Sequence, residues 1–136
     1  FILTMKEKEI MNKLFTENGL DKEHVFSHKH YTIITRAGID LIQAKKSIFI
    51  DYEVVRCEPN FAVLKATAVM GSKRIITFGS ALKGSSYNDG NTSQWYVIET
   101  AEKRAMSRAV LKLAGLYGLQ DVYGEDEADV FKQSNN

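Results

Sequence analysis

The chain has 136 residues, 44% hydrophobic and 26% charged, which suits one globular domain and argues against extensive disorder. Its one cysteine, Cys57, excludes an internal disulfide, and no apolar run approaches the roughly 20 residues that span a bilayer. We therefore expect a soluble, cytoplasmic protein with no membrane partner.

The net charge of +1 is unevenly distributed along the chain. Residues 119–136 hold five acids and one base, which leaves 17 bases against 12 acids in residues 1–118. We expect a single folded domain over residues 1–118 and an acidic, flexible tail over residues 119–136. A basic body with an acidic end is typical of proteins that bind a polyanion, although short acidic ends are often merely solvated.

The first half of the chain predicts two helices with one short strand between them. Apolar residues at helical spacing indicate a helix over residues 5–18, part of an N-terminal helical arm formed by residues 1–24. The β-branched run 31–34 indicates a strand. Thr35 then provides an N-cap for a helix over residues 36–46.

Three consecutive strands are predicted from alternating side chains over residues 48–55, 61–70 and 74–82. Gly71-Ser72 is a tight hairpin signal between the second and third of these strands. The link at Pro59-Asn60 is also short. The three strands are therefore expected to form an antiparallel meander.

A long helix is predicted over residues 93–116, after a polar loop at residues 84–92. Alanines such as Ala101 and Ala105 allow its backbone to lie close to the sheet, and Gly118 follows its end. The predicted fold class is α+β. It has an antiparallel three- to four-stranded β-meander followed by a long helix packed on one sheet face (a β-β-β-α core), with an N-terminal helix.

Nothing in the sequence requires catalysis. His24, His28 and His30 form an H-x3-H-x-H cluster that is compatible with a metal, but no partner motif accompanies them and exposed histidines explain the pattern equally well. Asp51 and Glu53 share one strand face, where alternation of solvent-facing residues accounts for them. We expect no enzyme activity, no cofactor and no metal site.

The long helix carries Arg104, Arg108 and Lys112 at i, i+4 and i+8, so they align along one side. Cations about 6 Å apart in such a row match a phosphate backbone. A solvated helix face is the alternative, since Glu99 and Glu102 are placed to pair with these bases.

Further bases and three aromatic residues extend the predicted groove. A cationic groove with nearby aromatic rings is what binding to single-stranded nucleic acid requires, although Trp95 and Tyr96 are also candidates for core anchors. The predicted DNA-binding residues are Arg104, Arg108, Lys112, Lys103, Lys65, Lys73, Arg74, Lys83, Tyr87, Trp95 and Tyr96.

A family resemblance accompanies these features. The run 76–81, with Gly79, and the helix segment 99–109, followed by Gly118, resemble the core of single-strand annealing proteins. These are the Rad-fifty-two-like recombination mediators and the phage proteins Erf and Redβ, and the resemblance covers about residues 31–118. It implies a β-β-β-α core, homo-oligomeric rings or filaments, and backbone contacts to single-stranded DNA in a bacterial or phage-infected cell.

The sequence therefore predicts a non-catalytic protein that binds or anneals single-stranded DNA in recombination, repair or replication of a phage or mobile element. Two alternatives stay open. One is a protein that coats single strands without annealing them. The other is a protein-interaction module with no nucleic-acid role, in which the N-terminal helix and the acidic tail bind a protein partner.

Overall fold

The computed structural model describes residues 5–29, 31–85, 89–117 and 122–127. Its helices are α1 (Met5–Glu17), α2 (Arg36–Lys45) and α3 (Val97–Leu113), with a 3-10 turn at Lys22–His24. Its strands are β1 (Val25–His28), β2 (Tyr31–Ile34), β3 (Phe49–Glu58), β4 (Phe61–Met70), β5 (Lys73–Leu82) and β6 (Val122–Gly124).

The three long strands form an antiparallel sheet in the order β3-β4-β5, which we call the main sheet. Helix α3 follows it in the chain and packs on one of its faces, so the predicted α+β fold with a meander and a long helix is confirmed. The predicted hairpin at Gly71-Ser72 is also present, and Gly71 adopts a φ of +61°, a conformation that favours glycine.

Small residues allow α3 to lie very close to the main sheet. A Cβ atom added at Gly79 would lie 2.5 Å from the amide nitrogen of Ala105 and closer still to the carbonyl oxygen of Ala101. The hydroxyl of Thr77 donates a hydrogen bond to the carbonyl of Ala105 at 2.8 Å across this contact. The glycine and alanines that carry the family resemblance are therefore determinants of helix–sheet packing.

A second, smaller sheet has the order β1-β2-β6, with β1 antiparallel and β6 parallel to β2. Neither β1 nor β6 was predicted from the sequence, because strands of four and three residues are too short to show a period. Val122 of β6 is fully buried. The predicted boundary at residue 118 is therefore wrong for residues 122–127, which belong to the folded unit.

The main core lies between α3, α2 and the two sheets. Its buried members include Ile34, Ile39, Ile42, Val110 and Val122. Leu14 and Phe15 of α1 pack against this core, so the second half of α1 is attached to the body. Within the described part of the chain, no helix combines the length and the apolar character needed to cross a membrane.

Candidate nucleic-acid interface

Arg104 is buried inside the protein, with 4% of its surface exposed. Its guanidinium donates hydrogen bonds to the carbonyl of Ser80 (2.9 Å), to the side-chain and main-chain oxygens of Asn91 (3.1 and 2.9 Å) and to the carbonyl of Asp126 (3.3 Å). The prediction that Arg104 contacts DNA phosphate is therefore wrong, because its donors are used within the fold.

Arg108 is also bound within the protein. Its Nη1 donates to the carbonyl of Phe78 at 3.0 Å, and its Nε forms an ion pair with the buried carboxylate of Glu127. The exposed cationic row predicted on α3 is thus reduced to its last member, Lys112, which is exposed and lies 5.2 Å from the centre of the Tyr117 ring.

The two arginines close one edge of the main sheet. β5 is an edge strand, and its outward carbonyls at Phe78 and Ser80 accept from Arg108 and Arg104. Positions i and i+4 on a helix are about 6 Å apart, and positions i and i+2 on a strand about 6.6 Å, so the two rows match. An i, i+4 spacing of cations can match a phosphate backbone, but in this structure it matches the spacing of the free carbonyls along an edge strand.

The bases on the main sheet do not form one continuous groove. Lys65 lies on the face opposite α3, with its Nζ 3.9 Å from Glu53. Lys73 and Arg74 begin β5, whereas Lys83 directly follows its end, about 33 Å away along the strand. The structure therefore separates the predicted residues Lys65, Lys73 and Arg74 from Lys83.

Lys83 is instead brought together with Trp95, and we call Lys83, Trp95 and Tyr96 the aromatic patch. The Nζ of Lys83 lies 4.6 Å from the centre of the Trp95 ring, a cation–π contact. Trp95 and Tyr96 are 66% and 68% exposed. They are therefore not core anchors, and they precede α3, which begins four residues later than predicted, at Val97.

The loop that carries the aromatic patch is fixed to the end of β5 by Asn91. The Asn91 side-chain oxygen accepts from the amide of Leu82 at 2.7 Å, and the Asn91 amide donates to the Leu82 carbonyl at 2.8 Å. The guanidinium of Arg104 donates to the same Asn91 side-chain oxygen and to the Asn91 carbonyl. Sequence reasoning missed this role of Asn91, since a polar residue in a polar loop gives no signal of its tertiary partners.

Lys103 lies on the exposed side of α3 and lines an open cleft of about 370 Å³. Gln94, directly before the aromatic patch, lines the same cleft. The other lining residues are Arg36, Thr100, Glu125 and Asp126. Lys103 thus shares a cleft with Gln94, the residue that precedes Trp95.

The acidic segment 125–127 binds to the body of the protein. Glu125 accepts from the amide of Arg36 at 2.9 Å, Asp126 accepts from the Ser107 hydroxyl at 2.7 Å, and Glu127 accepts from the Tyr117 hydroxyl at 3.1 Å. The prediction of a flexible acidic tail is therefore wrong for these three carboxylates. These carboxylates accept hydrogen bonds from the folded domain, and Glu127 also forms an ion pair with Arg108.

Tyr117 gives the protein a predicted sensitivity to alkali. Burial and the Glu127 carboxylate raise its pKa to about 12. The folded protein keeps the phenolic proton above the ordinary pKa of about 10, where the unfolded chain releases it, so stability is complete below about pH 10 and falls as the pH approaches 12. Tyr117→Phe should reduce the loss of stability between about pH 10 and 12 in urea unfolding. A loss in Tyr117→Phe as large as in the wild type would contradict the assignment.

Among the described residues, His24 lies with Asp21 and Glu23, and their possible ligand atoms are within 4.8 Å of one another. The His24 Nδ1 accepts from the amide of Asp21 at 3.1 Å, in a capping arrangement that explains why Asp21, Glu23 and His24 lie together. The predicted residues Tyr87 and Gly118, together with His30 and the His28 side chain, lie outside the described part of the chain.

No protein-family model, curated protein or solved structure matches this sequence.

Proposed function

We propose that the chain binds single-stranded DNA without catalysis, and that the aromatic patch is the contact surface. The observation that carries the proposal is the exposure of Trp95 and Tyr96 beside the ammonium group of Lys83. Adjacent exposed aromatic side chains form a contiguous apolar patch, a feature typical of interaction sites. The resemblance to single-strand annealing proteins supports the same partner.

The chemistry of the aromatic patch suits a single strand better than a duplex. Unpaired bases expose their faces, and stacking on an aromatic side chain contributes about 1–3 kcal/mol per base without sequence preference. The ammonium group of Lys83 supplies a cation for a backbone phosphate next to a stacked base. Lys103, in the cleft that Gln94 shares, supplies a second cation.

Because Arg104 and Arg108 are bound within the fold, fewer cations are available to contact phosphate, and the expected salt dependence of DNA affinity is weaker. Each phosphate neutralised on a single strand contributes about −0.7 to the slope of log affinity against log salt. With Lys83 and Lys103 as the contacts, we expect a slope between about −1 and −2. Stacking then supplies the larger share of the affinity.

The test uses Trp95 as its own reporter, since it is the chain's one tryptophan. Titration with oligo(dT) at low salt should quench its fluorescence as bases stack on the ring. In anisotropy measurements with labelled oligo(dT), Trp95→Ala and Tyr96→Ala should each weaken binding by about tenfold or more.

Phe49→Ala is the matched control, because Phe49 is equally exposed but lies on the far face of the main sheet. It should bind as the wild type does. Absence of binding at low salt, or equal losses in Phe49→Ala and Trp95→Ala, would contradict the proposal. A faster pairing of complementary strands in the presence of the protein would identify annealing, and its absence would identify coating.

A further inference from the structure

The face of the main sheet that points away from α3 is open and carries seven apolar side chains. Side chains alternate along β4, so Leu64 and Ala66 are buried under α3 while Lys65 and Thr67 point outward. Phe49 and Phe78 on this outer face are 76% and 49% exposed. Its apolar members are Phe49, Phe61, Val63, Val69, Ile76, Phe78 and Leu82.

The outer face carries as many acids as bases. Its carboxylates all lie on β3, whereas Lys65 and Arg74 lie on β4 and β5. The full set is Asp51, Glu53 and Glu58 against Arg56, Lys65 and Arg74. A face without net positive charge does not suit a polyanion. Asp51 on β3 and Arg74 on β5 lie near the same end of the sheet and carry opposite charges, which can pair when the face meets its own copy.

We propose that the outer face is a dimerisation surface that packs against the same face of a second copy of this chain. A two-fold axis parallel to the strands places β3 of one copy over β5 of the other at the same level, so Asp51 of each copy approaches Arg74 of the other. The seven apolar side chains then form the interior of a sheet-on-sheet contact, with α3 on the outside of each layer.

The dimensions of the outer face set the expected affinity. Three ten-residue strands cover roughly 33 Å by 14 Å, or about 900 Å² over both copies, which is less than the roughly 1,200 Å² of a standard specific interface. We therefore expect a weak dimer with a dissociation constant in the micromolar range. A two-fold contact of this kind uses the whole face on both copies. Assembly through it therefore yields a dimer, in contrast to the ring or filament that the family resemblance implies.

Sedimentation equilibrium of the full chain from about 1 to about 200 µM tests the proposal. The wild type should pass from monomer to dimer, and Phe78→Asp should raise the dissociation constant by about 100-fold or more, since it places a charge in the contact. The matched control is Val54→Asp, because Val54 is 56% exposed on the α3 side of the same sheet. It should dimerise as the wild type does.

Cross-linking provides a readout that does not depend on the folding of Phe78→Asp. Thr67 is central on β4, so Thr67→Cys in a Cys57→Ser background should form dimers with a short bismaleimide, whereas Val54→Cys should not. A wild type that stays monomeric at about 200 µM, or disruption by Val54→Asp instead of Phe78→Asp, would overturn the proposal. Since the aromatic patch lies elsewhere, Phe78→Asp should keep its affinity for oligo(dT), which separates this proposal from the proposed function.

Discussion

Replacing Gly79 with alanine should leave most of the protein unfolded. The added Cβ would lie 2.5 Å from the Ala105 nitrogen and closer to the Ala101 oxygen, and both are backbone atoms that cannot rotate away. Relief requires α3 to move off the sheet, which also breaks the Thr77–Ala105 hydrogen bond. We expect a loss of more than about 4 kcal/mol, a large part of the stability of a typical domain.

The matched control is Gly71→Ala, in the hairpin between β4 and β5. Gly71 has a φ of +61°, but a Cβ there would meet nothing within 4 Å. Its substitution should therefore cost only about 1 kcal/mol of backbone strain. Urea unfolding followed by circular dichroism compares the two variants. A smaller loss for Gly79→Ala than for Gly71→Ala would contradict the account of helix–sheet packing.

Replacing Arg104 with methionine should have the second-largest effect. Methionine fills much of the same volume but leaves the carbonyls of Ser80 and Asn91 without their guanidinium donors. Unpaired buried polar groups cost about 1–3 kcal/mol each, so we expect a loss of about 3 kcal/mol or more. Arg104→Lys should recover only part of it, since one ammonium group cannot reproduce the planar fork of a guanidinium.

Lys103→Met is the control for this substitution. Lys103 is the preceding residue of α3 but is exposed, so its replacement should change stability by less than about 0.5 kcal/mol. Chemical denaturation of both variants measures the difference. If Arg104→Met kept full stability and instead lost DNA affinity, the role of Arg104 in closing the β5 edge would be wrong.

Much of the fold was predictable because its elements are long. Ten-residue strands show a clear period of two, and the glycine of the β4–β5 hairpin marks the turn. The short strands β1 and β6 show no period, so the second sheet was missed. The docking of Glu127 was missed for a different reason: an acidic residue near the end of a chain has the same sequence pattern whether it is solvated or bound.

The DNA-binding residues were predicted less well because helical spacing reports which side chains share a side, not what that side faces. Arg104, Arg108 and Lys112 do share a side of α3, but the first two meet the carbonyls of an edge strand. The sequence did not decide whether Trp95 and Tyr96 are core anchors or surface residues, and the structure shows that both side chains are exposed. Asn91, which fixes their loop, had no recognisable signal.

The most direct test compares Lys83→Ala with Lys112→Ala in oligo(dT) binding at several salt concentrations. Both lysines contact an aromatic ring, but only Lys83 belongs to the aromatic patch. We predict that Lys83→Ala weakens binding and makes the salt slope shallower by about 0.7, while Lys112→Ala binds as the wild type does. The opposite result, a loss in Lys112→Ala with Lys83→Ala unchanged, would contradict the assignment of the interface to the aromatic patch.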